Sequence, residues 1–130
     1  MMTNYVCQHY PKFNEDCDDF FKQCKSLEED LKNFKIALVD DINTNNGLVP
    51  RKNKTYFHVK GLHTPLPVFK VKKFRCRAIK QGNRSGFRIV FAYDRPLSLI
   101  YFIEFYYKKN NNTEMNKKRA IEACKFICNQ

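Results

Sequence analysis

A segment of strand-forming residues that carries only positive charge is the feature that most constrains this chain. From Phe69 to Phe91 the sequence reads FKVKKFRCRAIKQGNRSGFRIVF, with eight Lys or Arg residues and no acid. Valine, isoleucine and phenylalanine favour strands. Because side chains alternate across a strand, Lys70 and Lys72 share one face while Phe69 and Val71 share the other. Such a sheet buries one face and displays cations on the other.

The end of this segment predicts a second strand with the same division of faces. In GFRIVFAY the aromatic and aliphatic residues fall mostly on one face, and Arg88 falls on the opposite face. We therefore expect Arg88 beside Lys70 and Lys72. A bulge, a strong twist or a strand that runs past the core would explain the cations that fall on the apolar side, which are Lys73, Arg75 and Arg77.

The positive charge of the whole chain is concentrated in the same region. The net charge is +11, from 24 Lys or Arg residues and 13 Asp or Glu residues. Residues 1–50 hold five cations and nine acids, whereas residues 51–109 hold fifteen cations and two acids. A basic block of this kind predicts a polyanionic partner: nucleic acid first, an acidic protein second and a membrane surface third.

An apolar stripe with helical spacing precedes the basic block. Ser26 interrupts it, and its hydroxyl would cap a helix start with Glu29 reaching back in a capping box. The pattern favours two helices, at about residues 14–25 and 27–40, that form a hairpin, with one continuous helix as the alternative. The stripe recurs alternately every four and three residues, at Phe13, Cys17, Phe20, Cys24, Leu27, Leu31 and Phe34.

The remaining segments predict a sheet and a last helix. NYVCQHY predicts a strand before the helices; TYFHVKGL, residues 69–79, FRIVFAYD and LSLIYFIEFYYKK predict strands after them. A cap at Thr113 would begin the final helix. We therefore predict one α+β domain over residues 1–130: an N-terminal strand, a helical hairpin, a twisted, mainly antiparallel sheet of about four strands and a C-terminal helix. The helices are expected on one face of the sheet.

The six cysteines and the lack of a long apolar run limit the location and the chemistry. No two cysteines form a C-x-x-C pair, and no export signal precedes them, so we expect reduced thiols and no zinc site. No apolar run is long enough to cross a bilayer. The expected location is therefore the cytoplasm, with no membrane partner and no cofactor.

Four motifs in this order resemble the RelE/ParE superfamily of toxins from toxin–antitoxin pairs, and the RelE-like branch in particular. They are VKGL, FKVK, SGFRIVF and IYFIEFYYKK, and they follow a strand and a helical hairpin. The resemblance covers most of the chain. It implies a toxin that cleaves mRNA on the ribosome without a metal ion, and a cognate antitoxin that blocks it.

The resemblance also implies roles for individual residues. It assigns Arg88 to the arginine of the GFR strand, Lys70 and Lys72 to the lysines of the FKVK strand, and Lys60 to the cation before a glycine. Three features depart from the family pattern. The last tyrosine, Tyr107, precedes the final basic pair, and the His and Glu of some relatives have no clear equivalent. The hairpin between Arg75 and Arg88 is also longer than in the compact relatives. Glu104 and Tyr106 lie near the end of the last strand, and the final basic pair is Lys108 and Lys109.

Cleavage by attack of the ribose 2′-hydroxyl on its phosphate would need a base, a cation and an acid. Arg88 suits the cation, because a guanidinium grips two phosphate oxygens and stays charged. Lys72, or Lys70, suits the base, because neighbouring like charges lower the pKa of a lysine. Lys109 or Lys108 would act as acid or phosphate clamp. The expected RNA-binding residues are Lys60, Lys70, Arg75, Arg77, Arg84 and Lys108.

Two other functions remain compatible with the same residues. In the ParE-like branch the resemblance implies poisoning of DNA gyrase without nuclease chemistry. A non-catalytic module that binds RNA or the ribosome is the third hypothesis. The density of cations in the strands favours the nuclease over the gyrase inhibitor.

Overall fold

A computed structural model describes residues 2–51, 54–79 and 85–130 of the chain and confirms the α+β prediction. The helical hairpin, the later strands and the C-terminal helix occur in the predicted order. Among the described residues, no helix combines the length and the hydropathy needed to span a bilayer. The elements are β1 (Val6–His9), α1 (Pro11–Gln23), α2 (Leu27–Thr44), β2 (Tyr56–His58), β3 (Val68–Val71), β4 (Phe87–Asp94), β5 (Leu99–Tyr107) and α3 (Lys117–Cys128).

The N-terminal strand joins the later four in a single five-stranded sheet. The spatial order is β1-β5-β4-β3-β2, with β1 parallel to β5 and every other pair antiparallel. The strands β4 and β5 lie inside this sheet and are buried along most of their length. Burial on both faces explains why their sequences are almost continuously apolar.

The sheet is covered on both faces, so the expectation of helices on one face only is wrong. α1 and α2 pack on what we call the hairpin face, over an aromatic cluster that includes Phe69, Phe91 and Phe105. α3 packs on the opposite face, the α3 face, through a stripe of small residues. The stripe consists of Ala120, Ala123 and Cys124. The strand residues beneath it are Val90, Ala92, Tyr101 and Ile103.

The strand predicted over residues 69–79 ends early, at Val71. The neighbouring strand β2 has only three residues and runs antiparallel to β3. Its first residue, Tyr56, pairs with Val71, the last residue of β3. Beyond that pair the chain leaves the sheet and buries Phe74 and Cys76 in the core under the helical hairpin. Lys73, Arg75 and Arg77 do not follow the alternation of the strand because they lie past its end.

The helix termini differ from the predicted caps. The two-helix prediction is confirmed, but the Ser26 hydroxyl donates to Asp30 Oδ2 at 2.8 Å and no capping box with Glu29 forms. The C-terminal helix begins after Asn116, whose side chain accepts from the Arg119 N–H at 2.9 Å. The predicted cap at Thr113 is therefore wrong by three residues.

A bulge in β5 changes the direction of its last residues. Val90 pairs with Glu104, whereas the next residue, Phe91, pairs with Phe102, so Ile103 is the extra residue. Without it, strict alternation from Phe102 would have put Glu104 on the hairpin face. With the extra residue, Glu104 and Tyr106 lie on the α3 face, the same face as their β4 partners Val90 and Arg88.

Candidate nucleic-acid interface

Two predicted cations, Lys70 on β3 and Arg88 on β4, lie on the α3 face of neighbouring strands. Lys70 pairs with Val90 and Arg88 pairs with Tyr106, so the two cations are diagonal neighbours across the β3–β4 ladder. Val90 belongs to the core under α3, and this fixes the face. The predicted convergence of these two side chains is therefore present.

Two more cations act electrostatically on Lys70, and together the four define the basic patch: Lys70, Lys72, Arg88 and Lys108. Partial burial is the main cause that lowers the pKa of Lys70. The positive charges of Lys72, Lys108 and Arg88 lower this pKa further, whereas the carboxylate of Glu114 raises it. Mutual influence of this kind requires the charged groups to be close in space.

Lys72 is held at the patch although it lies one residue beyond β3. Its backbone N–H donates to the Thr55 carbonyl at 2.9 Å, which continues the β2–β3 ladder by one bond. Its ammonium lies 4.1 Å from the centre of the Phe57 ring. Phe57 pairs directly with Lys70, so this cation–π contact keeps Lys72 on the same face as Lys70.

Lys108 reaches the patch because the β4–β5 ladder continues past the end of β5. Its backbone N–H donates to the Gly86 carbonyl at 2.8 Å. Gly86 has φ +93°, and a Cβ built there would lie 2.8 Å from the ring of Tyr107. The glycine of the GFR motif therefore suits both the positive φ and the close approach of the Tyr107 ring, beside the backbone bond that joins Gly86 to Lys108.

Tyr106 and Glu104 lie beside the patch and were not predicted as site residues. Burial raises the pKa of Tyr106 to about 12, and the carboxylate of Glu104 also raises it. The phenol is therefore protonated at neutral pH and is available as a proton donor beside Arg88. Glu104 is buried, its carboxylate accepts from the Asn116 N–H at 2.8 Å, and burial raises its pKa.

The bulge explains why sequence reasoning did not place this tyrosine and glutamate. The EFYYKK segment is part of the IYFIEFYYKK motif, and Glu104 and Tyr106 lie near the end of that strand. Their facing, however, depends on the extra residue Ile103, which no local pattern indicated. The pairing partner of a strand is a tertiary property.

Two predicted RNA-binding residues, Arg75 and Arg77, lie away from the patch. The Arg77 guanidinium forms an ion pair with Asp30 of α2, with Nε 3.0 Å from Oδ1. Arg75 lines a cavity of about 490 Å³ together with residues of α2 such as Phe34 and Asp41. Because the chain leaves the sheet after Val71, these arginines lie at the hairpin side instead of joining Lys70.

The other predicted residues are divided between the two ends of the molecule. Lys60 is exposed just after β2. The pKa of His58 is lowered first by burial, then by the charge of Arg51 and then by the charge of Lys60. Lys109 is exposed, and its backbone N–H donates to Thr113 Oγ1 at 3.3 Å. Lys108, which continues the β4–β5 ladder through its backbone bond to Gly86 and lowers the pKa of Lys70, takes the place predicted for Lys109 at the patch. Arg84 lies outside the described residues.

Metal ligands and homologues give no further assignment of the site. Within residues 2–51, 54–79 and 85–130, no cluster of three or more His, Cys, Asp or Glu side chains is arranged to hold a metal ion. Comparison of the chain with protein-family models, with curated proteins and with solved structures found no match. The chemistry of the basic patch is therefore the guide to what the protein does.

Proposed function

We propose that the protein is a RelE-like toxin that cleaves mRNA on the ribosome and that the basic patch is its RNA-binding and catalytic surface. The observation that carries this proposal is the convergence of four cations on one sheet face beside the protonated phenol of Tyr106. The order of the elements also supports it, because a strand, a helical hairpin, four strands and a final helix are what the resemblance implies.

Arg88 is the residue proposed to stabilise the transition state. The attack of the 2′-oxygen on phosphorus places extra negative charge on the non-bridging oxygens, and a fixed guanidinium stabilises that charge. One of its nitrogens, Nη1, donates to the Phe87 carbonyl at 3.2 Å. This bond orients the group and leaves other N–H donors for phosphate.

Lys70 and Tyr106 are proposed as base and acid. In its neutral form Lys70 accepts the 2′-hydroxyl proton, and the lowered pKa increases the fraction of that form. The 2′-oxygen then bonds to phosphorus, and the 5′-oxygen leaves with a proton from the Tyr106 phenol. This assignment replaces Lys72 by Lys70 as base and Lys109 by Tyr106 as acid; Lys72 and Lys108 bind phosphate.

The partner proposed for the same surface is an acidic segment of a cognate antitoxin. Carboxylates on such a segment would pair with the four cations and exclude RNA from them. One electrostatic surface would thus serve both the substrate and the inhibitor.

The test compares two arginines on opposite sides of the sheet. Arg88→Ala and Arg77→Ala are each induced in cells, growth is followed, and the 5′ ends of mRNA are mapped. We expect wild type and Arg77→Ala to arrest growth and to cleave mRNA, and Arg88→Ala to do neither while remaining folded by circular dichroism. Cleavage by Arg88→Ala at the wild-type level would refute the catalytic assignment.

A non-catalytic RNA-binding module is the second candidate, and a departure from the family pattern favours it, because the last tyrosine, Tyr107, precedes the final basic pair. The cations of the patch bind phosphate whether or not one of them accepts a proton. In a translation extract this candidate predicts ribosome binding that depends on Lys70 and Arg88, with intact mRNA.

A further inference from the structure

Two cysteines that are far apart in the sequence have their sulfur atoms in contact under the helical hairpin. Cys24, just after α1, and Cys76, in the segment after β3, are separated by 52 positions, and their Sγ atoms are 3.9 Å apart. The Cys76 side chain is fully buried, whereas Cys24 is partly exposed. A disulfide bond is about 2.0 Å long, so closure requires the sulfurs to approach by only about 2 Å.

The surroundings of the pair favour Cys24 as the attacking thiol. Its Sγ lies 3.5 Å from the Ser26 hydroxyl, which also contacts Cys76 Sγ at 3.7 Å. The hydrogen bond between the Cys24 thiol and the Ser26 side chain lowers the pKa of Cys24, and so do the backbone N–H groups of Ser26 and Leu27 at the start of α2. Burial raises the pKa of Cys76, which suits a thiol that reacts only with its neighbour.

We propose that Cys24 and Cys76 are a redox-active pair that forms a reversible intramolecular disulfide with a low-molecular-weight disulfide as oxidant. The Cys24 thiolate attacks one sulfur of the oxidant and releases the first thiol. The Cys76 thiol then attacks the Cys24 sulfur of the mixed disulfide, and the second thiol leaves. Two electrons and the two thiol protons pass to the oxidant, which becomes two thiols.

The link would join the α1–α2 junction to the segment that connects β3 with β4. Both cysteines belong to the core on the hairpin face, whereas the basic patch lies on the α3 face. Oxidation therefore stabilises the fold by constraining the unfolded chain, without covering the patch. The inference does not depend on the proposed nuclease activity.

Peptide mapping of the oxidised full-length protein tests the proposal. The reduced protein is titrated with oxidised glutathione under native conditions, the remaining thiols are blocked, and the peptides are analysed by mass spectrometry. We expect a peptide pair joined through Cys24 and Cys76 in wild type and in the control Cys128→Ser, which lacks an exposed thiol elsewhere. Cys24→Ser and Cys76→Ala should give no such pair.

A second measurement follows the melting temperature. Oxidised wild type should melt several degrees above the reduced protein, and dithiothreitol should reverse the shift. The proposal is overturned if Cys24 stops at the glutathione adduct with Cys76 still reduced, or if the cross-link joins other cysteines. Because wild type itself decides this, the result holds even if a variant fails to fold.

Discussion

Asp16 of α1 and Arg119 of α3 form an ion pair that completes the edge of β5 where its neighbouring strand ends. β1 pairs with β5 only from Leu99 to Phe102. Beyond that point Asp16 Oδ2 accepts from the Phe105 N–H at 3.0 Å, and Arg119 Nη1 donates to the Ile103 carbonyl at 3.3 Å. The pair therefore satisfies the backbone on both sides of the bulge and joins helices from opposite faces of the sheet.

Replacing Arg119 by alanine should destabilise the protein strongly. The change removes the guanidinium from Asp16 and from the Ile103 carbonyl in a partly buried place, and Asp16 keeps the Phe105 N–H as a donor but loses its cation. We expect a loss of about 2–4 kcal/mol in the free energy of unfolding. Urea denaturation measures the difference. The control is Lys109→Ala, which removes an exposed side chain after β5 and should change the free energy of unfolding by about 0.5 kcal/mol or less. Equal losses would contradict the role given to the β5 edge.

Gly86→Ala should destabilise the fold more than Gly61→Ala. Both glycines have positive φ, +93° and +82°, so both substitutions strain the backbone. At Gly86 a ring atom of Tyr107 lies 2.8 Å from the position of a Cβ, whereas at Gly61 no atom of the described residues lies within 4 Å of that position. We expect about 1–2 kcal/mol at Gly61 and about 1 kcal/mol more at Gly86, because the far end of the exposed Tyr107 side chain must move aside. Thermal unfolding of the two variants side by side checks the order.

The pH dependence of cleavage should report on Lys70. The neutral amine is the base, so the rate on ribosomes should rise with pH, and the lowered pKa brings this rise below the ordinary value of about 10.4. Lys70→Arg keeps a positive charge but cannot act as the base. This variant should bind ribosomes, lose most of the rate and lose the pH-dependent rise. If it kept the wild-type profile, Lys70 would be only a phosphate contact.

Removing a patch lysine should change the salt dependence of RNA binding. Each phosphate contact contributes about 0.7 to the slope of log affinity against log salt on a single strand. Lys72→Ala should therefore weaken binding to single-stranded RNA and lower the slope by about that amount. Arg75→Ala, on the hairpin side, should leave the slope unchanged. A similar decrease in both variants would mean that RNA also contacts the hairpin side.

His9 should make the protein less stable in mild acid. Its ring lies between Lys35 Nζ, 2.6 Å from Nε2, and Asn14 Oδ1, 2.7 Å from Nδ1. Burial lowers the pKa of His9, and so does the charge of Lys35, although the bond to Asn14 raises it. The unfolded chain therefore binds the proton first, so stability falls as the pH drops below about 6.5 and levels off below the folded pKa.

The variant His9→Gln isolates this effect. It should lose less unfolding free energy than wild type between pH 7 and pH 5, measured by urea denaturation. Other acid-titrating groups, such as the buried Glu104, contribute to both proteins and cancel in the difference. Parallel curves for wild type and variant would show that folding leaves the pKa of His9 unchanged, and they would contradict the prediction.

The order of elements and much of the basic patch were predictable because their signals are local. Helical and strand periodicity identified the hairpin, the long strands and the last helix. Alternation put Lys70 and Arg88 on one face, and both lie there. The short β3 was not predictable, since it ends where β2 stops pairing, and the position of Arg77 depends on an acid 47 positions away in the sequence.

The sequence by itself determined that apolar and cationic side chains would separate across β3 and β4, because a strand alternates with period two whatever surrounds it. Only the tertiary structure decided which groups share that cationic face at the end of β5. The extra residue Ile103 shifts the register against β4 and turns Glu104 and Tyr106 toward Arg88. A bulge depends on which residues of two distant segments pair, and one strand read alone does not contain that information.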